Sequence, residues 1–218
     1  MPAADVREEL LYAHRVGLCM ELLIVDCAYL EAAPTELRAG LVGTAAFGSD
    51  DAWDADRSEG WTWPDADNDS WYARYEFHNT LTSYKPHFWA GERWDKIRGF
   101  VQPELRTALD EFSAPLFWGE YNWDFADPPF APAVPERENH WHPDAMRRLL
   151  PEDVTALHHF WIRVEPGLPS LRAPFEQHIA EPTGQIKNFS SIAALVTEWG
   201  EVVTKAAGRG WGIIGLKC

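Results

Sequence analysis

Residues 190–216, which read SSIAALVTEWGEVVTKAAGRGWGIIGL, decide the fold. Between residues 192 and 206 the apolar side chains recur at helical spacing and form one stripe of an amphipathic helix. Gly208 suits the left-handed residue that closes such a helix. The segment from Trp211 to Leu216 then reads as a short strand. This end of the chain therefore predicts a helix that packs on a sheet.

Four other predicted helices begin in the same way, with a proline at the first helical position and an acidic residue close behind it. The pairs are Pro34 with Glu36, Pro103 with Glu104, Pro143 with Asp144, and Pro151 with Glu152. Residues 11–29 also follow helical spacing, although the dense run at 22–25 is equally compatible with a buried strand. We therefore expect one α+β domain over residues 1–218, dominated by helices, with a small sheet that includes the C-terminal strand.

Two stretches lack this regularity. Residues 48–70 form an acidic loop, and residues 118–142 are rich in Pro, Asn and aromatic residues. Loops of this length within a domain are usually functional or disordered. Each contains three tryptophans, whose large apolar surfaces must be covered. We therefore expect both loops to be ordered against the body of the protein.

The charge balance limits the partners. The formal net charge is −15, with 19 Lys+Arg against 34 Asp+Glu, which argues against nucleic acid and anionic membranes. Seven net negative charges (eight acids less Arg57) lie between residues 49 and 71. One hypothesis is a non-catalytic binding protein that captures a cationic protein partner, as a toxin-neutralising immunity protein would; the alternative is a merely solvated acidic surface. The expected contact residues are Asp50, Asp51, Asp54, Asp56, Trp53, Trp61 and Trp63.

The number and spacing of the cysteines indicate the redox state of the cellular compartment. Cys19, Cys27 and Cys218 show no metal-binding or redox spacing, and an odd number without a paired framework fits a reducing compartment. The N-terminus lacks the features of a signal peptide, and the longest apolar stretch, residues 16–30, is too short to span a bilayer. These features predict a cytoplasmic protein.

An aromatic run from residue 71 to residue 94 suggests a second functional hypothesis, a small-molecule enzyme. Tryptophans beside polar groups are typical of a mostly apolar pocket, although aromatic stripes also form cores. The candidate pocket residues are Trp71, Arg74, Tyr75, His78 and Trp89. We expect the segment through Trp71 and Tyr75 to be helical. The sequence leaves open whether the protein is an enzyme.

Two sets of residues are candidates for a divalent metal. Asp65, Asp67, Asp69 and Glu76 match the first, third, fifth and twelfth positions of a calcium loop, but Ser70 stands where the sharp turn needs glycine. His140 and His142 point the same way if the segment is extended, so both imidazoles could reach one transition metal. The alternatives are solvated acids and loop histidines packed against tryptophan. The histidines would then belong to the site of a metal-assisted enzyme.

From residue 94 onward the order of features resembles the YfbM-like family of uncharacterised bacterial proteins. The resemblance rests on Trp94-Asp95-Lys96-Ile97, Pro115-Leu-Phe-Trp-Gly-Glu120, the helix opening at Leu150-Pro-Glu-Asp-Val154, and a closing helix before a terminal strand. It covers about half of the chain, and the first 90 residues depart from it. It implies an α+β fold and carries over no activity and no site residues.

Overall fold

The computed structural model describes residues 19–48, 59–64, 70–118, 145–179 and 186–218. Within these residues, five strands form one sheet with the order β2-β3-β1-β5-β4. Every neighbouring pair is antiparallel. The strands are β1 (Met20–Val25), β2 (Gly60–Thr62), β3 (Tyr72–Glu76), β4 (Ala145–Leu149) and β5 (Gly212–Lys217).

Helices cover both faces of this sheet. They are α1 (Cys27–Ala32), α2 (Thr35–Phe47), α3 (Lys85–Ile97), α4 (Pro103–Ser113), α5 (Pro151–Val164), α6 (Arg172–His178) and α7 (Phe189–Arg209). Short turns of 3-10 helix (Arg98–Phe100 and Glu165–Leu171) and of π-helix (Ala114–Trp118) connect some of them. The fold is therefore α+β and dominated by helices, with a small sheet that includes the C-terminal strand, as the sequence predicts.

The core has two parts because successive residues of a strand face opposite sides. In β1, Leu22 and Ile24 join the larger cluster formed with α3 to α7, whereas Leu23 and Val25 join the smaller cluster formed with α1 and α2. All six residues of β1 are buried. A strand buried on both faces shows no polar alternation, which is why the dense run at 22–25 is compatible with either a strand or a helix.

The long closing helix, α7, lies on the larger core. The Asn188 side chain caps its start by accepting a hydrogen bond from the Ser191 amide at 2.9 Å. Its end differs from the prediction: Gly208 lies inside the helix, and Gly210 takes the left-handed conformation with φ of 67°. The helix is therefore two residues longer than predicted, and Trp211 directly precedes β5.

Three local predictions are wrong. Residues 72–76 form strand β3 instead of a helix, and residues 145–149 form strand β4 where Pro143 and Asp144 predicted a helix. Strand β2 interrupts the stretch predicted as one loop over 48–70. In the loop predicted at 118–142, Trp118 ends the π-helical turn, and residues 119–142 lie outside the described part of the chain.

The cysteine prediction is also wrong, because Cys19 and Cys218 form a disulfide across 199 residues of sequence. The sheet register explains the pairing: Met20 lies opposite Lys217, so the next residue outward on each strand faces the other. Their Cα atoms are 5.3 Å apart, within the normal span of a disulfide. Cys27 stays a free, buried thiol, and burial raises its pKa to about 12.

Candidate functional site

The strongest candidate site lies where β3 ends and meets α7. His78 follows the last core residue of this segment, Phe77, and its side chain is half exposed. One oxygen of the Glu198 carboxylate, Oε2, accepts a hydrogen bond from the His78 amide at 2.9 Å and lies 3.2 Å from the His78 ring Nδ1. The Glu198 side chain is 14% exposed, so the carboxylate is the better shielded partner of the pair. The carboxylate thus fixes both the backbone and the ring of His78.

Tyr75 completes this group from the strand itself. Its hydroxyl donates a hydrogen bond to the same Glu198 Oε2 at 3.3 Å. Burial, followed by the charges of Glu198 and Glu201, raises the pKa of Tyr75 well above its ordinary value. The phenol therefore stays protonated at neutral pH and serves as a donor.

The turn that begins at His78 has an unusual backbone. Asn79, Leu81 and Thr82 all have positive φ angles, of 59°, 51° and 59°. Non-glycine residues in this region store strain of about 1–3 kcal/mol each and persist where their surroundings hold them. The holding contacts are hydrogen bonds from the Asn79 amide to Glu59 Oε1 at 2.6 Å and from the Met20 amide to the Thr82 carbonyl at 2.8 Å. These two hydrogen bonds therefore fix the turn to the sheet on both sides of its tip.

A cavity of about 230 Å³ lies between this turn and the first half of α7. The apolar lining residues are Pro86, Ile186, Ala194 and Leu195, and the polar ones are His78, Asn79, Thr80, Ser191 and Glu198. On α7 the two kinds share one face of the helix. Apolar surface beside convergent polar groups is what a small-ligand site needs.

Beneath this site the core contains a buried cation. Arg147 of β4 is 1% exposed, and among the described residues no carboxylate pairs with it. Its guanidinium donates to the Pro115 carbonyl at 3.1 Å and to the Tyr84 hydroxyl at 2.8 Å, and lies over the rings of Tyr84 and Trp199. One carbonyl oxygen, one hydroxyl oxygen and two aromatic faces thus stand in place of the usual counter-ion.

His87 of α3 lies next to this cation. Its ring stacks on Tyr84 and meets the edges of Phe77 and Trp199. Neither ring nitrogen has a hydrogen-bond partner in the described part of the chain. Burial and, second, the charge of Arg147 hold the pKa of His87 well below its ordinary value, so the folded protein keeps this ring neutral.

We predict that His87 makes the fold sensitive to acid. The unfolded chain binds a proton at this residue near pH 6.5 and the folded chain does not, so the free energy of unfolding falls as pH drops below 6.5, by about 1.4 kcal/mol per pH unit. His87→Met, which conserves volume and removes two unpartnered polar atoms, is expected to raise stability at pH 7 by about 1–2 kcal/mol and to flatten this slope. Urea denaturation between pH 7 and pH 5.5 measures both effects. His178→Met is the control, since His178 is exposed and stacks on the exposed Phe100; an unchanged slope in His87→Met would contradict the prediction.

The structure divides the five residues predicted to line one pocket. Tyr75 and His78 come together on Glu198. Trp71 and Arg74 lie on the other side of the sheet, where Trp71 stacks on Tyr29 and Arg74 reaches the Ala46 carbonyl. The fifth, the partly buried Trp89, packs on the larger core beneath the guanidinium of Arg93.

The predicted partner-binding tryptophans of β2 and its flank are partly buried against the larger core. The Trp61 indole donates to Glu201 Oε1 at 2.6 Å, and Trp63 lies beneath the guanidinium of Arg209 at 4.4 Å. The remaining predicted contact residues, Trp53 and the four aspartates Asp50, Asp51, Asp54 and Asp56, lie outside the described residues.

Of the predicted metal ligands, the structure describes only Glu76. Glu76 ends β3, whereas Asp65, Asp67, Asp69, His140 and His142 lie outside the described residues. Among the His, Cys, Asp and Glu residues that the structure does describe, no group of three is arranged to hold a metal ion.

Sequence reasoning missed Glu198 and Glu201. Glu198 lies three residues after Leu195 and four before Val202, both buried, so it sits at the edge of the apolar stripe of α7. An acid at the edge of a buried stripe was the available signal. Its partners, His78 and Tyr75, lie 120 and 123 residues away, and nothing in the local sequence links them to Glu198.

Comparisons with known proteins add no identification: the chain matches no protein-family model, no curated protein and no solved structure. The resemblance to the YfbM-like family stays a prediction. Among the described helices, none combines the length and the apolar character that crossing a bilayer requires.

Proposed function

We propose that the protein is an enzyme that acts on a small molecule and uses His78 as a general base. The observation that carries this proposal is that one carboxylate oxygen, Glu198 Oε2, contacts both the backbone amide and the ring Nδ1 of His78. A carboxylate at Nδ1 favours the tautomer with the proton on that nitrogen, which leaves the Nε2 lone pair for a proton acceptor. Because His78 also lines the cavity, a water or substrate hydroxyl held there would be within its reach.

The roles of the neighbouring residues follow from their contacts. Glu198 orients the imidazole and stabilises the imidazolium that forms when His78 takes a proton. Tyr75, kept protonated, donates to the carboxylate and keeps it in place. The apolar lining residues of the cavity would hold the body of the substrate, and Asn79, Thr80 and Ser191 would offer hydrogen bonds.

The test uses p-nitrophenyl acetate, an activated ester that reports a reactive imidazole. We expect His78→Ala to lower the rate of ester hydrolysis by about tenfold, below the range of about 10²–10⁴ that a general base supplies with its own substrate. Glu198→Gln, which keeps the shape and removes the charge, is expected to lower it by less. His178→Ala is the matched control, because His178 is equally a surface histidine but stacks on Phe100. Equal losses in the two histidine variants would refute the proposal.

A second candidate function is the capture of a cationic protein partner. Three carboxylates, Glu59, Glu198 and Glu201, lie around β2 and the turn after β3, beside the partly buried Trp61 and Trp63. This surface continues in sequence into the acidic stretch at residues 50–56. Such a field speeds association with a positively charged protein.

Reversing Asp50, Asp51, Asp54 and Asp56 to lysine is expected to weaken the capture of basic proteins by the immobilised chain without lowering its melting temperature. Capture at low salt, followed by mass spectrometry of what is retained, measures this effect. If the reversed variant retains the same basic proteins in the same amounts, this stretch is not the binding surface.

A cytoplasmic location remains a prediction with less support than the sequence suggested. Its argument from cysteines assumed that none is paired, whereas Cys19 and Cys218 form a disulfide. Such bonds persist mainly in oxidising compartments.

A further inference from the structure

The Glu198 carboxylate has one oxygen that the protein does not use. All three hydrogen bonds to this residue, from Tyr75, the His78 amide and the His78 ring, end on Oε2. Oε1 has no partner among the described residues, yet Glu198 lines the cavity. An ionised carboxylate has room for further donors on its second oxygen. The free oxygen therefore indicates where a ligand donor would bind.

The charges around the cavity indicate whether that ligand is a cation or an anion. Among the described lining residues none is a lysine or an arginine, and Glu198 is the one carboxylate. Lys85 and Lys187 neighbour lining residues in sequence but do not line the cavity themselves. The Glu59 carboxylate adds negative charge behind Asn79, whose amide it holds. An anionic ligand would meet repulsion here, and a cation would find a largely shielded carboxylate.

The volume and the apolar wall fix the rest of the ligand. A cavity of about 230 Å³ is smaller than the usual range for drug-sized ligands, but it exceeds the roughly 150 Å³ that holds one benzene ring. Pro86, Ile186, Ala194 and Leu195 supply the apolar lining, here called the apolar wall, for a hydrocarbon group.

We propose that this cavity binds a small primary amine, with its ammonium group on Glu198 Oε1 and its hydrocarbon part against the apolar wall. This inference rests on the proposed function, since it names the substrate class of the same site. The ammonium would sit beside His78, so the group that His78 acts on lies close to the amine-bearing carbon.

The test compares three probes of one size and different charge: benzylamine, benzyl alcohol and benzoate. Chemical-shift titration at pH 7 measures their dissociation constants. We expect benzylamine to bind about tenfold or more tightly than benzyl alcohol, as a shielded charge-assisted hydrogen bond predicts, and benzoate to bind more weakly than either. Glu198→Gln is expected to remove the preference for the amine over the alcohol.

Two further variants keep the test decisive. Glu165 lines the open groove between α5 and α7, which shares no described lining residue with this cavity, so Glu165→Gln is expected to change nothing. Ala194→Trp fills the cavity from an exposed helix position, so it is expected to abolish binding of every probe without unfolding the protein. Binding that survives Ala194→Trp, or an amine preference that survives Glu198→Gln, would overturn the proposal.

The outcomes also separate this inference from the proposed function. If the alcohol binds as tightly as the amine and ester hydrolysis still depends on His78, the ligand class is wrong and the general base stands. If benzylamine binds with the expected preference and ester hydrolysis does not depend on His78, the cavity is an amine-binding site without that catalytic role.

Discussion

Gly200→Ala is expected to lower the free energy of unfolding by about 2–3 kcal/mol, although alanine is the better helix former. A Cβ at Gly200 would lie 2.1 Å and 2.2 Å from two ring atoms of Trp161, Cε2 and Cζ2. The indole cannot retreat easily, since it is buried and packs against Phe112 with ring centroids 5.3 Å apart. The gain in helix propensity of about 1 kcal/mol is too small to offset this overlap.

Gly208→Ala provides the matched control on the same helix. A Cβ at Gly208 meets nothing within 4 Å, so alanine there is expected to raise stability by up to about 1 kcal/mol. Guanidinium denaturation of both variants compares the two glycines directly. Trp161→Leu should make Gly200→Ala less costly, because the pair shares one contact. Equal effects at the two glycines would mean that Trp161 does not pack on Gly200.

Removing the disulfide by Cys218→Ser is expected to lower the free energy of unfolding by about 2–5 kcal/mol. The bond closes a loop of 199 residues, and the chain-entropy treatment assigns its largest stabilisation, about 5 kcal/mol, to loops of this size. The two cysteines that it joins directly precede β1 and directly follow β5, which are neighbours in the sheet. Without the bond, the start of β1 and the end of β5 are held together by strand pairing alone.

Denaturation with and without dithiothreitol measures this effect. The wild-type protein should lose stability on reduction to the level of Cys218→Ser, and the variant should not respond. Cys27→Ala keeps the disulfide and is expected to keep the response to reduction, since Cys27 is a free thiol. A wild-type protein that titrates as three free thiols in denaturant would refute the pairing.

Long elements with one buried face were predictable from the sequence. The stripe of α7 and the proline starts of α4 and α5 follow local rules that tertiary packing does not override. The end of α7 was missed by two residues because Gly208 and Gly210 both suit a helix end and only packing chooses between them.

Strands covered on both faces were harder to predict. In β3, Ala73 and Tyr75 face the larger core while Tyr72 packs on the smaller one, so the aromatic residues show no alternation with polar ones. That pattern is as compatible with a helix as with a strand. The pairing of Cys19 with Cys218 depends on the same sheet, whose register no local pattern encodes.

The candidate site was predictable only in part. The aromatic run placed His78 and Tyr75 among the candidates because polar groups stand beside aromatic ones there. Their shared partner, Glu198, follows from the packing of α7 on the end of β3, which brings together residues 120 apart in sequence. Spacing along the chain carries no information about such a contact.

The position of the central strand pair affects how the chain folds during synthesis. Val25 of β1 pairs with Gly212 of β5, so 187 residues must be added before the partner strand exists. At roughly 5–20 residues per second, one edge of a strand that is apolar except for Glu21 stays open for about 10–40 s. Exposed strand edges of this kind invite pairing with other chains. Nascent chains therefore need that edge shielded, and we expect the yield of folded protein to depend on chaperones more than the stability of the finished domain would indicate.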